Sequence, residues 1–215
     1  THRSPLHGFS TDFAEHRKYV PGDDVKFLDW NLFARTDRLY IRKYEAHTNL
    51  DCTLLIDCSA SMGYEHPDSP MTKISYSTCL AAAMGWLLLR QRDAVGLATF
   101  DDDVRAWVKP ANRPKQLQRI VGVLANASTS AGTDLGHSLA RAANLIPHRG
   151  MIMIFSDFLG DRAAFEDGLR RLAARGHDIL VFHVLDQSEV GLPFNFLAEF
   201  ADPEDPDSRE IADSD

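Results

Sequence analysis

The chain has 215 residues, 44% of them hydrophobic and 25% charged, the balance of a packed globular protein of one large or two small domains. Its formal net charge of −8 offers no basic footprint for nucleic acid or for an anionic membrane surface. Seven acids against Arg209 alone crowd residues 201–215, so the body is close to neutral and the tail is expected to be a disordered, solubilising end. Three cysteines (Cys52, Cys58 and Cys79) without a CxxC pair exclude a disulfide framework and a CxxC zinc site, and they suit a reducing cytoplasm. The longest apolar run, residues 80–89, falls well short of the ~20 residues a bilayer requires. No secretory leader opens the chain, and its first residue is Thr1, which suggests a piece of a longer protein.

The first fifty residues read differently from the remainder. Residues 13–19 look like a short helix, Pro21-Gly22-Asp23-Asp24 is a turn, and residues 39–44 alternate as a strand does. From residue 51 onward strands alternate with helices. Residues 53–56 are a short apolar run ending at Asp57, the pattern of a strand buried on both faces. Residues 73–92 are apolar round most of their circumference, so a deeply packed helix is expected. Residues 94–100 read as a strand, Asp101-Asp102-Asp103 as a solvated turn, and 104–108 as the hairpin partner at a sheet edge. Pro114 precedes a helix over 116–127, and Thr133 and Asp134 open another that runs to about residue 146. Residues 151–155 are the clearest buried strand. A helix over 162–175 stops at Gly176, and 179–185 is a further strand with His183 as a core residue. This order implies an α/β fold, a Rossmann-like, doubly wound, mostly parallel sheet with helices on both faces.

Ligand sites in such sheets lie beyond the carboxyl ends of the strands, near the switch point. Asp57-Cys58-Ser59-Ala60-Ser61 directly follows the first buried strand, and Asp157 follows the strand over 151–155. Thr133 lies in the loop that opens the helix before that strand. A doubly wound sheet brings all three segments to one rim, and alternation in an extended loop turns Asp57, Ser59 and Ser61 to one side. Two carboxylates and three hydroxyls supply only oxygen, the donor set of a hard cation such as Mg²⁺. Neutral hydroxyls leave such an ion under-neutralised, so it should attract a further carboxylate from outside. The alternative is that Ser59 and Ser61 cap the following helix while Asp57 accepts backbone N–H groups.

These residues resemble the metal-ion-dependent adhesion site of von Willebrand factor type A domains: Asp-x-Ser-x-Ser, a Thr in a later loop, and an Asp after a later strand. The resemblance covers about residues 50–185. It implies Mg²⁺ (or Mn²⁺, Ca²⁺) on Asp57, Ser59, Ser61, Thr133 and Asp157, and protein ligands that donate an acidic oxygen to the metal. The N-terminal segment narrows the match. Gly8-Phe9-Ser10-Thr11-Asp12-Phe13, Arg17-Lys18-Tyr19-Val20-Pro21-Gly22-Asp23-Asp24, Asp29-Trp30 and Ala34-Arg35-Thr36 look like the signature of the bacterial domain of unknown function 58 family. In that family the signature precedes a type A-like domain. Members are often encoded beside MoxR-type AAA+ ATPases, the pair being thought to act in assembly or activation of other proteins, and longer members often carry a membrane segment. The implied organisation is a signature segment over 1–49 packed on a type A-like domain over 50–200, followed by the acidic tail over 201–215.

The expected function is therefore a cytoplasmic, non-enzymatic, metal-dependent protein-binding module. A Mg²⁺-dependent phosphoryl hydrolase is the alternative. Haloacid-dehalogenase-type enzymes need a second Asp two residues after the first, where this chain has Ser59, and no Lys is evident to complete the site. No GxGxxG follows a strand, and the histidines lack His-x-x-x-His spacing. Cys58, with no His foreseen beside it, reads as packing. Arg17, Tyr19, Asp24, Asp29, Trp30 and Arg35 mix charge with aromatics. A structural clasp, with Trp30 buried on the main sheet and Arg–Asp pairs holding the turns, is favoured over a partner-binding surface.

Overall fold

The computed structural model describes residues 13–44, 50–130, 135–191, 198–201 and 209–212, and the chain divides into two units, Thr1–Asn49 and Leu50–Asp215. In the first, β1 (Phe13–Lys18) pairs antiparallel with β2 (Tyr40–Tyr44), and α1 (Trp30–Thr36) lies between them in the chain. Residues 13–18 are thus a strand, where the sequence suggested a helix. Their local pattern is weak, and long-range pairing with β2 decides the backbone conformation. Arg17 donates to Asp23 at 2.6 Å across the turn, one of the Arg–Asp pairs expected. Trp30 departs from expectation. It is 60% exposed, its ring edge-on to Phe33 at 6.2 Å.

In the second unit β3 (Asp51–Asp57), β4 (Ala94–Phe100), β5 (Val104–Ala111), β6 (Met151–Ser156) and β7 (Asp178–His183) form one sheet in the order β5-β4-β3-β6-β7. β3 runs parallel to β4 and β6, β6 runs parallel to β7, and β5 is antiparallel at one edge. The helices are α2 (Lys73–Arg90), α3 (Gln116–Leu124), α4 (Leu135–Leu145) and α5 (Arg162–Ala174). Strand alternation sends Leu54, Ile56, Val95, Leu97, Met153 and Phe155 to the side of α2 and α3. Leu55, Ala98, Phe100, Ile152 and Ile154 go to the side of α4 and α5. Each large apolar side chain so buried contributes about 1.5–3 kcal/mol. This is the doubly wound, mostly parallel arrangement expected, and it follows from strands that are apolar on both faces.

Close packing uses glycine at Gly168, where a Cβ would lie 2.9 Å from that of Leu139 and force α5 away from α4. Gly176, at φ +82°, ends α5 in the left-handed region. His183, expected in the core, is exposed on the edge strand β7. Asp101, expected in a solvated turn, is fully buried. After β7 come α6 (Gln187–Gly191) and an antiparallel pair, β8 (Ala198–Ala201) with β9 (Arg209–Ala212). The acidic end therefore contains paired strand where disorder was expected. None of the described helices is long and apolar enough to cross a membrane.

The chain leaves β3 for β4 and β5 on one side and returns to β6 on the other. The switch point thus lies between β3 and β6, and their carboxyl ends carry Asp57 and Asp157.

Candidate metal centre

Asp57 ends β3 with its carboxylate fully buried, and each oxygen has a donor. Oδ1 accepts the Ser59 N–H at 2.8 Å, and Oδ2 accepts the Ser156 hydroxyl from the neighbouring strand. All these donors are neutral. Burial therefore dominates and pushes the Asp57 carboxyl up to about 6, with the Ser156 and Ser59 hydrogen bonds pulling the other way.

The loop after Asp57 stays extended for two residues. Cys58 N–H donates to the Phe100 carbonyl at 2.7 Å, the Ser130 N–H donates to the Cys58 carbonyl at 3.0 Å, and Ser59 bridges Ser130 in parallel. A 3₁₀ turn over Ala60–Gly63 then begins, so the extended alternation expected through Ser61 stops at Ser59. The tight turn still sets the Ser59 and Ser61 hydroxyl oxygens 3.0 Å apart, both buried. The Cys58 thiol is buried and pushed up to about 12 by that burial, which suits the packing role expected of it.

Asp157 follows β6 and is also buried. Its Oδ1 accepts the Leu159 N–H at 3.2 Å. Its Oδ2 accepts the Lys73 ammonium at 2.8 Å, and the same ammonium donates to Glu189 Oε1 at 2.8 Å. Burial would lower the Lys73 pKa, but the Asp157 and Glu189 carboxylates outweigh it and hold the ammonium above its usual value. Phe158, next in the chain, sits at φ +56°, a left-handed conformation unfavourable for a bulky residue by about 1–3 kcal/mol. Its ring packs on Phe165 at 4.6 Å and His183 at 5.5 Å, while its N–H donates to the Ser156 hydroxyl at 2.9 Å.

Thr133 lies outside the described residues. On one side of it Ser130 is bridged to Ser59 and donates its hydroxyl to Asp101 Oδ2, which also meets Arg105. On the other side Ser138 donates to the Asp101 carbonyl at 2.7 Å. Asp101 is thus tied to both Ser130 and Ser138, a role hidden because three consecutive aspartates look like a solvated turn. Lys73 and Ser156 were missed as well. Lys73 opens the buried stripe of α2 that continues through Ser77, Ala81, Gly85 and Leu88, and that spacing is the signal which would have placed it inside.

Among the described residues no three His, Cys, Asp or Glu side chains gather into a metal-holding group. The candidate set is of another make, rich in hydroxyls. Two ligands in adjacent octahedral positions at ~2.1 Å from Mg²⁺ lie about 3.0 Å apart. The Ser59 and Ser61 hydroxyls, which share a hydrogen bond at 3.0 Å, have that separation. Among the described residues Asp57 beside them has no cationic hydrogen-bond donor, and the chemistry of this oxygen set fits a hard divalent ion.

A mixed α/β unit with a mostly parallel sheet and an acid-and-hydroxyl rim at its switch point defines the class of protein. The chain belongs to the family described as protein of unknown function DUF58, whose pattern matches residues 15–215. Uncharacterized proteins of Mycobacterium tuberculosis and Mycobacterium bovis are each 31% identical over 196 residues, covering 89% of this chain. The chain spans about 60% of the length of those relatives. Among solved structures, the conserved hypothetical protein BatB from Bacteroides thetaiotaomicron superposes with a TM-score of 0.50 at 17% identity, over 61% of this chain and 65% of that one. An aerotolerance-related membrane protein from Bacteroides fragilis gives 0.51 at 16%, over 63% and 67%. The neighbours include a von Willebrand factor type A protein from Catenulispora acidiphila, with a TM-score of 0.43 at 13% identity, over 65% and 33%.

Proposed function

We propose that the chain is a metal-dependent protein-binding module without enzymatic activity, and that its partners include a MoxR-type AAA+ ATPase and the proteins that ATPase helps to assemble or activate. One observation carries the metal-dependent part. The Ser59 and Ser61 hydroxyls stand 3.0 Å apart beside a buried Asp57 whose hydrogen-bond donors are all neutral. Ser59, Ser61 and Thr133 would hold Mg²⁺ directly, while Asp57 and Asp157 add negative charge around it. The bound ion supplies a Lewis-acidic position that an Asp or Glu carboxylate of the partner can fill. Ser156 and the Ser59 N–H keep Asp57 in place, and Asp101 accepts the hydroxyl of Ser130. Free, unpaired Cys52, Cys58 and Cys79 support a reducing, cytoplasmic setting.

Titration calorimetry with Mg²⁺ tests the reading. Micromolar-to-millimolar binding is expected for the intact chain, and a loss of at least ~100-fold for the Ser59→Ala/Ser61→Ala double variant, because both direct donors go. Retention of the purified MoxR-type ATPase of the same genome should follow the metal, present in Mg²⁺ and lost in chelator. Unchanged Mg²⁺ binding by the double variant overturns the proposal. The hydrolase reading gains Lys73 beside Asp157, which the sequence alone left unseen. It still lacks the acid/base carboxylate, since that position is Ser59 with only a hydroxyl. Turnover of p-nitrophenyl phosphate that disappears in Asp57→Asn would favour it instead.

A further inference from the structure

Lys73 is the first residue of α2, yet its side chain is 2% exposed. A helix amino terminus favours anions, and a buried ammonium loses its hydration, so both the dipole and desolvation oppose this placement. Nothing in the first turn of α2 offsets it, for that turn holds no acidic residue. The compensation comes from far along the chain, from Asp157 after β6 and Glu189 on α6, each 2.8 Å from Nζ. The Tyr64 ring lies 5.7 Å from the same nitrogen. Glu189 is itself fixed, its Oε2 accepting the Asp186 N–H at 2.7 Å. Ser69 donates to Asp186 at 2.6 Å, and Tyr64 and Ser188 share a hydrogen bond at 3.1 Å. The segment between the Ser61 turn and α2 is thereby tied to the segment after β7, with the Lys73 ammonium innermost.

We propose that Lys73 is the internal counter-ion of this rim, competing with a divalent cation for Asp157 and so holding the site's metal affinity down, with Glu189 setting the strength of that competition. The inference rests on the metal reading above and adds its regulation. Asp157 has two oxygens, and the one not occupied by the Leu159 N–H is the one the ammonium takes. A cation that draws on Asp157 meets a like charge sharing the same carboxylate. Removing the ammonium then strengthens divalent binding. Removing the Glu189 charge leaves the ammonium less neutralised and weakens it. A cluster that only braces the loops makes no such distinction, because loosening it from either end disorders the same segments.

The experiment is Mg²⁺ titration calorimetry on the intact chain and on Lys73→Met, Glu189→Gln and Ser59→Ala, each checked for folding by circular dichroism. Lys73→Gln, which keeps an N–H for Asp157, stands in if Lys73→Met fails to fold. Expected are affinities at least ~10-fold tighter for the Lys73 variant and several-fold weaker for Glu189→Gln. Binding lost in Ser59→Ala locates the ion on the hydroxyl rim. Weaker binding in both the Lys73 and Glu189 variants, or no change in either, overturns the counter-ion role while the metal reading stands. Mg²⁺ binding by the Lys73 variant alone supports both. Absence of binding in every protein overturns both together.

Discussion

Two largely buried aspartates in the two units answer the same electrostatic problem in different ways. Asp29 caps α1 through the Leu32 N–H at 3.0 Å and accepts Arg42 and His16, each at 2.8 Å. The Arg42 guanidinium above all, then the Leu32 N–H and His16, hold its carboxyl well below the usual carboxylate range. Asp57 accepts a hydroxyl and an N–H, and burial pushes it up to about 6. An aspartate given an arginine is complete as a structural element. One given only neutral donors is short of positive charge, and a strand end at a switch point is where a ligand can supply it. Asp157 lies between these cases, since Lys73 supplies the charge from within.

The contrast predicts opposite pH responses at the two aspartates. The folded-state pKa of Asp57, about 6, exceeds the ordinary value of 3.8, so the folded protein holds this proton more tightly than the unfolded chain. The associated stability is present below pH ~4 and is lost as pH rises to ~6, a change of about 3 kcal/mol. Asp57→Asn should abolish that fall. In chelator, denaturant midpoints from pH 4.5 to 7 should therefore converge on the wild type at the acid end and exceed it at neutral pH. A wild type that gains on the variant as pH rises breaks the comparison, because Asp57 would then have a cationic partner. Ser156→Ala should cost about 1–3 kcal/mol in the same assay, as it takes one of the donors from a buried carboxylate and the acceptor from the Phe158 N–H.

How much of this was legible depends on whether a residue's environment is local. β3 and β6 could be read because continuous apolar runs ending at Asp57 and before Asp157 allow little but central strands. That Asp57 and Asp157 follow neighbouring strand ends could be read because the strand order makes β3 and β6 adjacent and parallel. β1 could not, since Phe13–Lys18 takes its conformation from pairing with Tyr40–Tyr44. The burial of Asp101 depends on Arg105 and on Ser130, the latter 29 residues away, and a turn motif carries no trace of the second. Lys73 is the instructive miss. A lysine at a helix start looks like surface, and only its phase with Ser77, Ala81 and Leu88 reveals that it points inward.

Asp29 supplies the contrast from the other side. Its carboxyl is depressed, so its stabilisation is present in full above the ordinary carboxylate pKa and is lost as pH falls from there through the depressed folded-state value. Asp29→Asn should accordingly be the less stable protein at pH 7, and its disadvantage should only begin to shrink as pH falls below the ordinary carboxylate value, the reverse of Asp57→Asn. The local reporter is the Leu32 amide, which donates to Asp29 Oδ1. Its hydrogen exchange should quicken in Asp29→Asn at neutral pH, because an uncharged cap holds that N–H less strongly and Arg42 no longer braces the carboxylate. The Ser59 amide in Asp57→Asn should change little by comparison, since a neutral Oδ1 still accepts it and a buried charge has been removed. Equal quickening at both amides would mean that the two aspartates are alike in kind, and that the absence of a cationic donor at Asp57 has no bearing on what the rim binds.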